Sequence, residues 1–204
     1  MEINFFVKGI ILGFSIAAPV GPIGVLCVRK TLQFGRLSGF FSGLGAAVAD
    51  TVYGVIAAFG LTLISSFLLA GQFWFQLIGG VFLIYLGLKT FYSKPAETNN
   101  RISHKTLFGD FISTFFLTVT NPMTILSFVA VFASIGGTVA AAPGTTGIML
   151  LGILSGSALW WLMLTLGVSV VRRKIDQRVM QTINRVAGLF LLGFAVWQVV
   201  AIVR

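Results

Sequence analysis

Of the five acids in this chain, Glu2, Asp50, Glu97, Asp110 and Asp176, only Asp50 falls near the middle of a long apolar stretch. A carboxylate at the centre of a membrane helix costs about 2.5–3.5 kcal/mol on insertion scales. It is therefore expected to face protein, a cation or water rather than lipid. It could hold a substrate ammonium or carry a coupling proton; the structural alternative is an Asp that only stitches helices together. Two proline breaks are the other chemical features: Pro19-Val20-Gly21-Pro22 and Thr120-Asn121-Pro122. Proline lacks an N–H and clashes with the carbonyl four residues earlier, so each break releases backbone polar groups. Inside a bilayer such groups are tolerated only within protein or beside a water-filled cavity. Half-helices starting at Pro22 and Pro122 would aim positive N-terminal dipoles at a common point, as a carboxylate requires. Asn121 adds an amide that can donate or accept. The plainer reading of both breaks is a pair of packing kinks.

The elements that must position these residues are apolar helices. The 204 residues are 57% hydrophobic and 9% charged, with a mean hydropathy of +1.00. A soluble domain is about 25% charged, and this chain lacks the charge to cover a wet surface. Spans need roughly 20 apolar residues, and six segments qualify: about 5–28, 37–69, 73–91, 107–135, 146–171 and 183–203. The expected fold is all-α, a polytopic membrane bundle forming a single transmembrane domain over 1–204. Met1-Glu2-Ile3-Asn4 lacks the basic flank of a cleavable signal, so the first segment reads as a permanent span.

Basic residues set the orientation. All but Lys8 and Arg204 of the 14 lie in alternate connections: Arg29, Lys30 and Arg36; Lys89, Lys94, Arg101 and Lys105; and Arg172, Arg173, Lys174, Arg178 and Arg185. By the positive-inside rule these loops are cytoplasmic and both termini lie outside. The net charge of +9 is thereby explained by topology, and nucleic acid is not an expected partner.

The chain also repeats itself. Besides the two breaks, Gly45 matches Gly152, Asp50 falls opposite Ser157, and Tyr53 opposite Trp160. Gln76, Gly79-Gly80 and Phe82 answer to Asn184, Ala187-Gly188 and Phe190. Three spans per half is an odd number, so halves 1–92 and 107–204, joined by the basic loop 93–106, must lie inverted. Inverted triplets with broken helices are a recurrent plan of secondary transporters; chance matching of glycine-rich helices is the alternative. Tyr53 and Trp160 are placed to flank a cavity, although large aromatics in such helices more often pack. Gly35, Gly39 and Gly43 permit close helix approach, with a dimer contact as the lesser reading. Trp74, Trp197 and Tyr92 read as interfacial residues, and Cys27 and His104 as bystanders. A lone cysteine and a lone histidine leave no metal centre, no nucleophilic triad and no expected cofactor. An enzyme is not expected.

The stretch Ala18-Pro19-Val20-Gly21-Pro22-Ile23-Gly24, then Leu32 to Gly35, Gly39, Gly43 to Asp50, Gly60-Leu61 and Asn121-Pro122, resembles the LysE/RhtB-type amino-acid exporters. With the Gly80 and Gly188 helices the resemblance covers nearly the whole chain. That family commonly has Pro-Gly-Pro where this chain has Pro19-Val20-Gly21-Pro22, which leaves the break intact. It has Asn-Pro-Lys where this chain has Asn121-Pro122-Met123, which removes a positive charge. The resemblance implies a bacterial inner-membrane exporter of amino acids or similar solutes, driven by the proton motive force and forming a homodimer. The expected substrate site is Pro19, Gly21, Pro22, Asp50, Tyr53, Asn121, Pro122, Ser157 and Trp160, with Asp50 also the proton carrier. The rivals are a carrier or channel for another solute or cation, and a non-transporting membrane partner of another protein.

Overall fold

A computed structural model describes residues 2–19, 21–59, 72–94, 104–121, 124, 128, 143–172 and 175–203. Among them are seven helices: α1 (Glu2–Ala17), α2 (Pro22–Phe34), α3 (Arg36–Phe59), α4 (Gln72–Phe91), α5 (His104–Val119), α6 (Pro143–Arg172) and α7 (Gln177–Val203). The distal part of the expected second span and most of 122–142 lie outside the described residues. The chain is an all-helical, polytopic membrane protein. By length and composition, α3, α6 and α7 can each cross a bilayer, and the pair α1–α2, bent by 84°, can supply a fourth crossing. Helices α4 and α5 are apolar but shorter over the residues described.

Polarity is distributed as a bilayer demands. Ser38, Ser42, Asp50, Thr114, Thr118, Ser157 and Asn184 are buried, while Ile11, Val81, Leu151, Leu189 and Val196 point outward. So wide an apolar surface has no place in water. Trp74, Trp197 and Tyr92 are exposed, as interfacial residues would be.

The first span is broken where the prolines lead one to expect, into two helices at a steep angle. Helix α1 closes with the Ala18 N–H on the Phe14 carbonyl, 3.0 Å, and α2 begins at Pro22, whose missing N–H costs nothing at a first helical position. The basic residues Arg29 and Lys30, expected in a loop, lie inside α2 and are buried, because the helix runs on to Phe34. Only Gly35 separates α2 from α3. Its φ of 102° is accessible to glycine at little cost, and its N–H caps the Thr31 carbonyl at 2.9 Å.

Glycines fix which helices touch and in what direction. Gly9 and Gly13 of α1 lie against the backbone of Met149, Gly152 and Ile153 in α6, while Gly152 and Gly156 lie against Phe6 and Ile10. The register advances together on both helices, so α1 and α6 run parallel. Gly45 of α3 meets the Phe111 carbonyl of α5, and Tyr53 reaches Val119, so these two are parallel as well. Gly39 against Thr165, Gly43 against Trp161 and Gly54 against Leu150 make α3 and α6 antiparallel. Gly80 against Val199, Gly87 against Leu192 and Gly188 against Phe91 do the same for α4 and α7. Helix α2 is mostly enclosed by this frame, with Val25 and Val28 left partly exposed. Its Leu26 and Cys27 join Ala46, Leu83, Leu117, Trp161 and Leu191 in the core.

Candidate substrate cavity

The break between α1 and α2 opens onto a cavity of about 230 Å³. Its lining comes from the end of α1 (Ile16, Ala17), the break itself (Pro19, Gly21), the start of α2 (Pro22, Ile23) and the midpoint of α3 (Ala46, Asp50). Thr118, Asn121 and Thr124 close it from the end of α5, with Trp161 of α6 and Phe194 of α7.

Asp50 sits one helical turn beyond Ala46 on the same face of α3 and is 3% exposed. Its Oδ2 accepts from Ser157 Oγ of α6 at 2.8 Å. Opposite stands the N-terminus of α2. Its N-cap, Gly21, has extended backbone and no side chain with which to cap the first turn; the Val25 N–H bonds Gly21 O at 3.0 Å. The first-turn amides and their positive dipole end therefore border the cavity without a side-chain acceptor on the cap. A carboxyl side chain and a positive helix end thus share one small chamber. A zwitterion carries the complement of both.

Helix α5 ends in threonines that turn back on their own helix. Thr114, Thr118 and Thr120 donate to the carbonyls of Asp110, Thr114 and Phe116, at 3.0, 2.8 and 2.8 Å. Of the three, Thr118 lines the cavity, and its bond uses its hydroxyl proton. Beyond the helix, Asn121 accepts from the Thr124 N–H at 3.1 Å. Pro122 lies outside the described residues.

Not every expected site residue lines the chamber. Tyr53 is buried, stacks near Phe128 at 5.7 Å between centroids, and donates its hydroxyl to the Val119 carbonyl at the end of α5. It thereby ties α3 to the last residue of α5. Ser157 reaches the chamber only through its bond to Asp50. Trp160 turns toward α1, its ring edge-on to Phe14 at 5.2 Å. Its neighbour Trp161 lines the cavity instead, because adjacent helical residues are about 100° apart. Trp161 is buried, and its indole N–H has no acceptor among the described residues. The pairing of Tyr53 with Trp160 hid this residue; counting one full turn from Ser157 to Trp161 would have found it.

A second polar layer went unread. Toward the end of the bundle that carries the basic connections, Lys30 of α2 pairs with Asp110 of α5 at 2.8 Å. Ser38 of α3 donates to the same carboxylate. Arg29 Nε donates to Asn184 Oδ1 of α7 at 2.9 Å, and Asn184 Nδ2 to Ser93 O at 3.1 Å. Arg172, at the end of α6, donates from Nε to Leu32 O at 3.0 Å and so caps α2 with positive charge. Helices α5, α6 and α7 thus all hold α2 at this end. Arg29 and Lys30, expected in a connection, are buried here because α2 continues past them to Phe34.

Comparison with known proteins bears on what such a chamber is for. Residues 14–201 match the LysE type translocator family. A Bacillus subtilis (strain 168) protein named "Putative amino acid efflux protein YcgF" is 28% identical over 197 residues, covering 94% of this chain and 93% of that one. A second protein of the same organism, "Uncharacterized membrane protein YrhP", is 25% identical over 187 residues, with 84% and 87% covered. No solved structure matches the chain.

Proposed function

Because the chain belongs to the LysE type translocator family, and is therefore a membrane transporter rather than an enzyme, we propose that it exports amino acids or related small zwitterions by alternating access at the Asp50 cavity. The observation that carries this reading is the buried Asp50 carboxyl facing an uncapped helix N-terminus across one small chamber. In this reading the substrate ammonium approaches Asp50, its carboxylate approaches the first turn of α2, and Asn121 orients it. A cavity of about 230 Å³ is smaller than the roughly 300–1,000 Å³ of drug-sized sites, which favours a small solute. The name borne by the first relative supports the same class.

The halves 1–92 and 107–204 form inverted triplets of one six-span domain. Three facts support this. Asp50 and Ser157, matched across the halves, bond each other directly. The contact of Gly80 with Val199 becomes that of Gly188 with Phe91 when matched positions are exchanged. The parallel contact of α1 with α6 likewise becomes that of α5 with α3, and the self-matched pairs α3–α6 and α4–α7 are antiparallel. A two-fold axis in the membrane plane accounts for the exchanged contacts and the antiparallel pairs, with Asp50 and Ser157 near the axis. The membrane is the bacterial inner membrane, with the basic connections cytoplasmic and both termini outside. The buried layer of Lys30, Asp110, Arg29 and Asn184 then closes the inner side, and its opening admits cytoplasmic substrate.

Asp50 also carries the coupling proton, exchanging it against the substrate ammonium. The test is efflux from preloaded proteoliposomes across the twenty amino acids, with and without a proton gradient. Asp50→Asn at equal membrane abundance is expected to abolish gradient-driven efflux. Normal efflux from that variant would remove Asp50 from the cycle. No efflux of any amino acid by the unmodified protein, with transport of another solute, would replace the substrate class.

A further inference from the structure

A second concavity lies on the outer face of the bundle, between α2 and α7, and is separated from the Asp50 cavity by α2. It holds about 420 Å³. Val25 and Val28 form one wall, Val186 and Phe190 the other, and its polar groups, Arg29 and Thr182, lie together at one end. Arg29 is 7% exposed. Its Nε is held by Asn184, yet among the described residues no carboxylate stands within ion-pair distance of it; Asp110 is taken by Lys30. A guanidinium offers five donors, so charge and donors are left over at the polar end of an otherwise apolar groove.

We propose that this groove holds one anionic phospholipid, its phosphate on Arg29 and one acyl chain laid along α7 toward Phe190. Three observations select that occupant. The walls are apolar, which disfavours a soluble anion. From Thr182 to Phe190 the groove follows α7 for about 12 Å at the helical rise, a length suited to a chain and not to a headgroup alone. Arg178 and Arg185 are exposed on α7 beside Thr182, so the polar end lies at the basic end of the bundle, where an anionic headgroup gains most. The acid closest in sequence to this end of α7, Asp176, accepts the Val179 N–H at 2.7 Å as a helix cap.

The proposal needs only a membrane environment, and its test reads binding, so its fate is separate from that of the transport reading. Purified protein in neutral detergent is titrated with phosphatidylglycerol or phosphatidylcholine, and retained lipid is counted by native mass spectrometry. One phosphatidylglycerol is expected to be retained in preference to phosphatidylcholine. Arg29→Gln should weaken it by about fivefold or more, the worth of one cation near a lipid headgroup, and Arg29→Lys should restore part of the loss. Val186→Trp, at the exposed rim, should exclude the lipid while keeping Arg29 and its bond to Asn184. Arg178→Gln should matter less than Arg29→Gln. Equal retention of both lipids, undiminished retention in both Arg29→Gln and Val186→Trp, or displacement by millimolar inorganic phosphate would overturn the proposal.

Discussion

At the scale of residues, the chamber holds one acid that is engaged and one donor that is not. Asp50 keeps the Ser157 bond, so Ser157→Ala should leave the fold intact and shift the substrate dependence of efflux; a hydrogen bond to a charged group is worth about 1.5–3 kcal/mol. That corresponds to a change in apparent affinity of roughly tenfold or more. A loss of maximal rate at unchanged affinity would mean that Ser157 serves the proton step instead. Trp161 presents the opposite case. A buried indole N–H without a partner costs free energy, and the described residues supply it no acceptor. Trp161→Phe keeps a ring against Gly43 and removes that cost, so detergent-solubilised protein should melt at the same temperature or higher. If the N–H finds its acceptor in the substrate, the same variant should raise the half-saturating substrate concentration by about tenfold. Unchanged transport with raised stability would make Trp161 a packing residue only.

At the scale of elements, α2 is held by charge at one end and by an apolar core along its length. The Lys30–Asp110 pair is buried on both sides, and removing one partner of a buried pair typically costs about 3–5 kcal/mol, because the other charge is left without compensation. Lys30→Met should therefore sharply lower the yield of folded protein, and Asp110→Leu in the same chain should recover most of it. A double variant that folds yet leaks substrate would identify the pair as the inner barrier; one that folds no better than Lys30→Met would show that each group has separate partners. The glycines make a sharper contrast. Gly156 packs against the Ile10 carbonyl with no room for a Cβ, whereas Gly147 and Gly167 on the same helix have nothing within 4 Å. Gly156→Ala must force α1 and α6 apart, at a cost of about 1–3 kcal/mol. Gly147→Ala should instead be neutral or gain up to about 1 kcal/mol of helix propensity. Thermal melting of the two variants side by side checks the α1–α6 contact directly. This contact was hidden in the sequence, since Gly9 and Gly13 sit in an ordinary apolar run and acquire meaning only against Gly152 and Gly156.

At the scale of the whole molecule, what could be read early was what depends on local chemistry. The break at Pro19 to Pro22 is written in residues that cannot continue a helix, and Asp50 stands out because a charge has no other reason to be there. What could not be read depends on which faces meet: Trp160 against Trp161, or Arg29 and Lys30 as helix residues whose burial needs Asp110 and Asn184 from distant segments. Topology lies between these, because the positive-inside rule rests on loops and not on contacts. Twofold exchange of the halves demands that the connection 93–106 and the uncharged connection 136–145 lie on opposite sides. The native Cys27 is buried in the core, so replacing it with Ala and placing single cysteines at Asn99 or Gly137 gives a direct reading. A membrane-impermeant thiol reagent added to intact cells should label Gly137→Cys and spare Asn99→Cys until the membrane is opened. Labelling of both from outside would break the alternation of spans on which the inverted halves depend, and labelling of Asn99→Cys alone would turn the molecule over. In that second case the barrier at Lys30 and Asp110 would face outward, and the same cavity would be poised to receive substrate from the cytoplasm.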